Sequence, residues 1–277
     1  MQTRFFWFAL PMTALSHLLK SFEELWPTAT AEEWDRVGLM LGHPASVVSK
    51  VLLSVDVTAE VVDDAIESSA QLLLTHHPML LRPVHELGEL TAKGNLITKA
   101  VRGGLAIFAA HTNADVAIGG VSQSLAAALG LTEISPLDPL TGHGCVGIVS
   151  SQKLVDFARN VAKVLPPVAQ GVRVAGDPER MISRVALVGG AGDGFLGQAL
   201  ESKADVFITS DLRHHPTQDF IELSQLVDGP ALMDISHWAA ESIWLESAAM
   251  QLSKLHSDVE FAVSEIRTDP WDFAVMQ

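Results

Sequence analysis

The chain has 277 residues, 48% of them hydrophobic, and carries a formal charge of -15. That length and apolar share can bury a substantial core, as one large or two modest domains. The acidic balance disfavours a surface built to neutralise nucleic-acid phosphates and would attract divalent cations. The single cysteine, Cys145, excludes an intrachain disulfide and a cysteine-rich zinc or iron-sulfur site, so any metal must be held by nitrogen and oxygen. It also fits a reducing, cytoplasmic setting, and the lack of tyrosine removes that side chain as an acid or nucleophile.

At the start, Arg4 and the apolar run FFWFALPMTAL imitate a short signal sequence. No small-x-small cleavage site follows, however, and Leu15, Leu18, Leu19, Phe22 and Leu25 already lie at helical core spacing. Met12 is the expected initiator, which makes residues 1–11 an upstream extension. Pro27 ends the first helix, after which Trp34, Val37, Leu39 and Leu41 can cover a sheet edge. Strand-like runs follow at 51–57, 71–75 and 105–110, separated by helical stretches near 59–69 and 92–103. The second half repeats the order, with strands near 184–189, 205–209 and 230–235 and helices near 194–203 and 217–227. Alternating strand and helix predicts an α/β fold with mostly parallel sheets and right-handed crossovers. Between the halves, Pro136, Pro139, Gly142, Gly144 and Gly147, a helical stretch at 154–165 and Pro166-Pro167 mark a junction. The predicted organisation is a first lobe at 12–130 and a second at 131–277, with no segment apolar enough to span a membrane.

The two lobes share a motif. AQLLLTHHP closes on His76 and His77, and ADVFITSDLRHHP closes on His214 and His215. Downstream, His111 and Asp115 stand four positions apart, as do His237 and Glu241. This reads as an internal duplication of roughly a hundred residues. Past a strand end, Pro78 can help hold His76 and His77 in a turn with both rings available, one for each of two metals. The four-residue spacing puts imidazole and carboxylate on one helical face if a helix starts there. Asp115 and Glu241 are natural bridges, since a carboxylate can bind two cations held about 3.5 to 4 Å apart.

Imidazole with carboxylate suits zinc, iron, manganese, cobalt or nickel better than calcium or magnesium. Thr209, Ser210, Asp211 and Asp56 are candidate supports for the ligands or contacts for a substrate. A lone histidine at a strand end is more often a hydrogen-bonded structural residue than a ligand. For His214 and His215 both readings stay open, and His111 is a ligand, a proton shuttle or a cap. His17, His43, His85, His143 and His256 read as surface or core residues. GGAGDG at 189–194 follows a strand and precedes a helix; it matches no nucleotide-binding fingerprint, so a tight turn competes with a phosphate cradle.

The segments EEWDRVGLMLG, LSVDVT, LLLTHHP, HTNADVAIGG, TSDLRHH and DISHWAAE together resemble the NIF-three-like family, the GTP cyclohydrolase I type 2 homologues with a dinuclear metal centre. The resemblance implies two related three-layer α/β lobes and a homohexamer with inward-facing sites. Carried over by motif, His77 and Asp115 would bind one metal, His76 and His237 the other, and Glu241 would bridge. His214 and His215 then become candidate catalytic residues, for substrate contact or acid–base work. Departures lie outside the ligands: Arg36 stands at a usual asparagine, Ser122 at a frequent asparagine, Cys145 at a frequent arginine, Ser236 at a usual glycine and Trp238 at a usual tyrosine. Of these, Arg36 and Cys145 are expected to alter pocket contacts. The central region leaves no room for the insert that some relatives carry.

The expected function is a metal-dependent hydrolase acting on a purine nucleotide or related small molecule, as the cyclohydrolase label implies. The alternatives are a non-enzymatic metal-handling or protein-interaction hexamer and a metal-dependent phosphoesterase. Against the last, Thr75 rather than an aspartate precedes the first histidine pair.

Overall fold

The computed structural model describes residues 13–275; the expected extension at 1–11 and Met12 lie outside them. In chain order the first elements are β1 (Thr13–Ala14), α1 (Leu15–Leu25), β2 (Gly38–Leu41), β3 (Val47–Val48), β4 (Lys50–Ser54), α2 (Ala59–Glu67), β5 (Leu72–Thr75), α3 (Ala92–Arg102) and β6 (Ala106–Ala109). Then come α4 (Thr112–Asp115), α5 (Val121–Ala128), β7 (Thr132–Pro136), β8 (Cys145–Lys153), α6 (Leu154–Val164), β9 (Arg173–Ala175) and β10 (Met181–Ala191). The chain finishes with α7 (Leu196–Glu201), β11 (Val206–Ser210), α8 (His214–Val227), β12 (Ala231–Asp234), α9 (His237–Leu255) and β13 (Glu260–Val263). Among the described residues no helix is long and apolar enough to cross a membrane.

The chain forms two compact units. The first holds residues 13–29, Glu33–His111 and Ala249–Ile266; the second holds Thr30–Glu32, Thr112–Ala248 and residues 267–275. A division at 130/131 follows the motif repeat, whereas the packing hands the chain over directly after His111. It also returns β13 to the first unit, because β13 pairs parallel with β4.

The first unit's main sheet has the order β13-β4-β5-β6-β2, parallel except for β2, which runs antiparallel along β6. The apolar run around Leu39 is therefore an edge strand and not merely a cover. Side chains alternate between sheet faces. Leu52, Leu73 and Ile107 pack with Val61, Val62 and Ala65 of α2 and with Leu96 and Ala100 of α3. Phe108 points the other way and meets Phe22 of α1 at a ring separation of 4.7 Å. Thr58 and Thr91 start α2 and α3 by accepting from the amides of Val61 and Gly94.

The second unit's sheet has the order β7-β8-β10-β11-β12-β9. Its centre, β10-β11-β12, is parallel as expected, but β7, β8 and β9 all join antiparallel. The proline- and glycine-rich stretch read as a junction is thus half of a sheet. Helices cover both faces: Val185, Leu187, Val206 and Ile208 pack with α5, α6 and the start of α9, while Ala186, Val188 and Phe207 pack with α7 and α8. The three-layer expectation holds in each unit.

Cys145 belongs to the first of these cores and is 2% exposed. Its predicted influence on a pocket is corrected here: at this position of β8 the side chain faces packed hydrocarbon. Burial pushes the thiol up to about 11, so the reactive thiolate is suppressed. A disulfide-exchange dye at pH 8 should leave the folded protein unlabelled and report one thiol per chain in guanidinium; rapid labelling of the native protein would contradict the buried position.

Candidate metal centre

In the first unit the carboxyl ends of two neighbouring parallel strands, β5 and β6, deliver the histidines. The ladder continues past β5, with the His76 amide donating to the Ser54 carbonyl and the His77 amide to the Val55 carbonyl. The Thr75 hydroxyl donates to the His77 carbonyl at 2.9 Å and closes the turn. His76 is fully buried and His77 half-buried, with ring centres 5.1 Å apart. His111, two residues beyond β6, joins them, so that one ring nitrogen from each of His76, His77 and His111 lies within 4.8 Å of the others. The structure thereby places His111 with the candidate ligands.

The orientation of these rings is fixed from behind. His76 Nδ1 lies 2.9 Å from the Ala110 carbonyl, His77 Nδ1 2.7 Å from Asp56 Oδ1, and His111 Nδ1 2.8 Å from Asp35 Oδ1. A carbonyl can only accept, and an ionised carboxylate does the same, so each Nδ1 carries a proton and Nε2 is the ring atom that would serve as a metal donor. Asp35 is the support that sequence reasoning passed over. It lies buried in EEWDRVG, and its Oδ1 also takes the Arg36 amide at 2.6 Å. The Arg36 guanidinium turns back onto the Glu33 and Asp35 carbonyls and so anchors this loop.

In the second unit α9 begins at His237, and its first full turn brings His237 Nε2 to 2.8 Å from Glu241 Oε1. This is the one-face geometry that the spacing predicts. His237 Nδ1 is held by Asp211 Oδ2 at 2.7 Å, and Asp211 reaches it from a left-handed backbone conformation, φ 55°, which aspartate tolerates better than most side chains. Burial works against charge on His237, but Glu241 and Asp211 outweigh it and raise the imidazolium to about 11. Two carboxylates closing on one imidazole demand a cation. A divalent metal on Nε2 with a neutral ring meets that demand as a proton does, so the donor set fits a metal of the zinc-to-manganese class.

The other H-x-x-x-acid motif behaves differently. Asp115 ends the single-turn helix α4, and His111 precedes that helix. Asp115 stands half-buried in the second unit. His214 and His215 form the exposed first turn of α8, their rings 5.1 Å apart.

The glycine-rich run has an unforeseen reason. Gly190 has φ +83°, and a Cβ there would lie 2.7 Å from Glu241 Oε1 and 3.4 Å from His237 Nε2. The backbone of β10 passes against the ligand pair, and only a missing side chain permits it. The Thr209 hydroxyl locks this approach by donating to the Gly190 carbonyl at 2.9 Å. Ser236, standing where the resemblance expects glycine, accepts from the Ala239 amide at 3.1 Å and donates to Asp269 at 2.5 Å. It caps α9 and ties residues 267–275 to the base of His237.

Removing a carboxylate behind a ligand should weaken metal without removing a ligand. Asp56→Asn and Asp211→Asn are each expected to lower metal affinity about 10- to 100-fold, read by competition with a chelating dye; wild-type affinity in both would show that these contacts do not orient the rings.

Two three-layer α/β units, each presenting oriented imidazoles at the carboxyl ends of its parallel strands, define a class of protein that can hold metal through nitrogen and oxygen. The chain belongs to the Duf34/NIF3 (NGG1p interacting factor 3) family, whose model matches residues 13–270. A Streptomyces coelicolor relative named GTP cyclohydrolase 1 type 2 homolog is 40% identical over 272 residues, covering 94% of each chain. A Mycobacterium tuberculosis relative of the same name is 30% identical, covering 93% of this chain and 96% of its own; the aligned length of 371 exceeds 277, so that relative carries segments this chain lacks. Among solved structures, a Staphylococcus aureus hypothetical protein superposes with a TM-score of 0.85 at 28% identity, covering 94% of this chain and 99% of its own. A Bacillus cereus protein related to NIF3 superposes with a TM-score of 0.87 at 24% identity, covering 95% and 99%, a likeness of fold.

Proposed function

We propose that the chain is a dinuclear metal-dependent hydrolase acting on a purine nucleotide or a related small molecule. The observation that carries the reading is the support common to the four imidazoles, each with Nδ1 engaged by an acceptor. A metal-binding histidine is commonly held this way through its second nitrogen, and three of the four also cluster with a ring nitrogen within 4.8 Å of one another. By resemblance to the family pattern, His76, His77, Asp115, His237 and Glu241 are the residues that would hold two cations, with His111 beside the first unit's pair. If bound there, such cations would supply Lewis acidity and a water-derived nucleophile near neutral pH. His214 and His215 are assigned to proton transfer at the leaving nitrogen, and their exposure leaves them open to a substrate.

The name carried by the relatives directs the choice of substrate toward GTP. Opening the guanine imidazole ring and releasing its C8 as formate consumes two waters. Chain loaded in turn with zinc, iron, manganese, cobalt or nickel should release formate from GTP under at least one loading; no formate under any of them would refute the reading. The proposal includes the homohexamer, which sedimentation velocity would test.

A further inference from the structure

We propose that the C-terminal arm, residues 271–275, docks its apolar side chains into a cavity formed by α5, β7 and α9 on a second copy of this chain. The inference rests on the self-association proposed above and assigns surfaces to it. Arm and cavity both belong to the second unit, and neither includes an assigned metal ligand.

The arm is anchored at its base and apolar beyond it. Buried Asp269 accepts from the Ser236 hydroxyl at 2.5 Å and from the Trp271 amide at 3.1 Å. The Arg267 guanidinium donates to the Trp271 carbonyl at 2.8 Å. Both polar groups of the Trp271 backbone are thus engaged, which fixes where its side chain leaves the chain. Yet Trp271 is 64% exposed, and Phe273 and Val275 are 79% exposed. The apolar residues of WDFAV alternate, so an extended arm carries all three on one side. Burying an aromatic side chain removes about 150–250 Å² from water. With Val275 added, the arm provides roughly half of the about 800 Å² that each partner gives to a stable interface.

The cavity measures about 450 Å³. Gln123, Ser124 and Ala127 of α5 line it together with Ile243 and Ser247 of α9, and Ile134 of the edge strand β7 joins them. Spacings of three and four residues put each helix's contributions on one face. No lining side chain is larger than isoleucine, which leaves room for an aromatic ring. Ile118, beside Gly119 of the lining, is almost fully exposed and extends the apolar rim.

Charge favours a second copy as the occupant. Chains of formal charge -15 repel one another, so self-contact is favoured where both sides are uncharged. Among the described residues no charged side chain lines the cavity. The arm's one charge, Asp272, lies 3.5 Å from the Arg267 guanidinium. Every copy carries both arm and cavity, so the contact can be reciprocated in a two-fold pair or passed around a ring.

The test is sedimentation velocity of the full chain over a concentration series, beside the double variant Trp271→Ser/Phe273→Ser. That variant removes only exposed side chains, so its metal content and melting temperature should match wild type. Its self-association should weaken at least about 30-fold, the loss expected of one aromatic anchor. Ala127→Trp should do the same from the other side, since Ala127 is exposed on α5 and an indole there fills the cavity. Phe273→Cys and Ala127→Cys copies, co-expressed with different tags, should form a disulfide between copies, with buried Cys145 taking no part. Wild-type association in either the double variant or Ala127→Trp, or no such disulfide, would overturn the docking. A chain starting at Met12 should associate as the full chain does; association lost there and kept in the double variant would give the cavity to the preceding apolar run and overturn the proposal. A hexamer unaltered by the variants refutes this contact and spares the hexamer, whereas an assembly of another size that the variants dissociate does the reverse. A monomeric full chain refutes both.

Discussion

Gly190→Ala is expected to yield a folded protein that no longer retains metal on its second-unit ligands. Two penalties coincide at this residue. Its φ of +83° costs an alanine about 1–3 kcal/mol, and the new methyl would stand 2.7 Å from Glu241 Oε1, in space the carboxylate needs. Relief by moving Glu241 spoils its 2.8 Å approach to His237; relief by moving β10 breaks the Thr209 lock. Gly194→Ala serves as the control, since no atom lies within 4 Å of a Cβ there, and it should stay within about 0.5 kcal/mol of wild type. Metal analysis after desalting, with thermal melts of both variants, checks the pair. Full metal content in Gly190→Ala would show that the glycine serves only the turn.

Glu241→Ala carries the other large effect. Glu241 is 2% exposed and paired with His237. Deleting one member of a buried pair leaves the other uncompensated, which costs about 3–5 kcal/mol and, at about 2–4 °C per kcal/mol for a chain of this size, should depress the melting temperature clearly. The metal-free proteins should also differ in pH dependence. The folded-state pKa of His237 is raised, to about 11 from 6.5, so its stabilising contribution is fully present below 6.5 and is lost as pH rises through about 11. The gap between wild type and variant should therefore narrow over that window. A constant gap would assign the loss to packing alone. Metal content should fall in the variant whatever the melts show.

Much of this was legible in the residues because it depends on local spacing. His237 and Glu241 share a helix face through backbone geometry alone, and His76 and His77 follow a strand short enough to recognise. What was hidden depends on tertiary pairing. Strand β8, Cys145–Lys153, follows a glycine-rich stretch and reads as a junction until β10 supplies its partner. Asp35 sits 76 positions from the histidine it orients, and such a separation leaves no periodic trace. The glycine-rich run announced a special backbone, yet its purpose required knowing that Glu241 stands against it. Cys145 had seemed a pocket variation for the same reason: motif position says nothing of which sheet face a side chain takes.

The passage of the chain out of the first unit at His111 and back into it at Ala249 has a consequence in time. During synthesis the segment bearing His76, His77 and His111 emerges early, but β4 waits for β13, more than 200 residues later, to cover its edge. The first unit therefore cannot complete its sheet until Thr112–Ala248 of the second has been synthesised. A chain cut before β13 would present these histidines on a sheet lacking one edge strand, so the order of the elements reserves a finished first unit for chains that extend through β13.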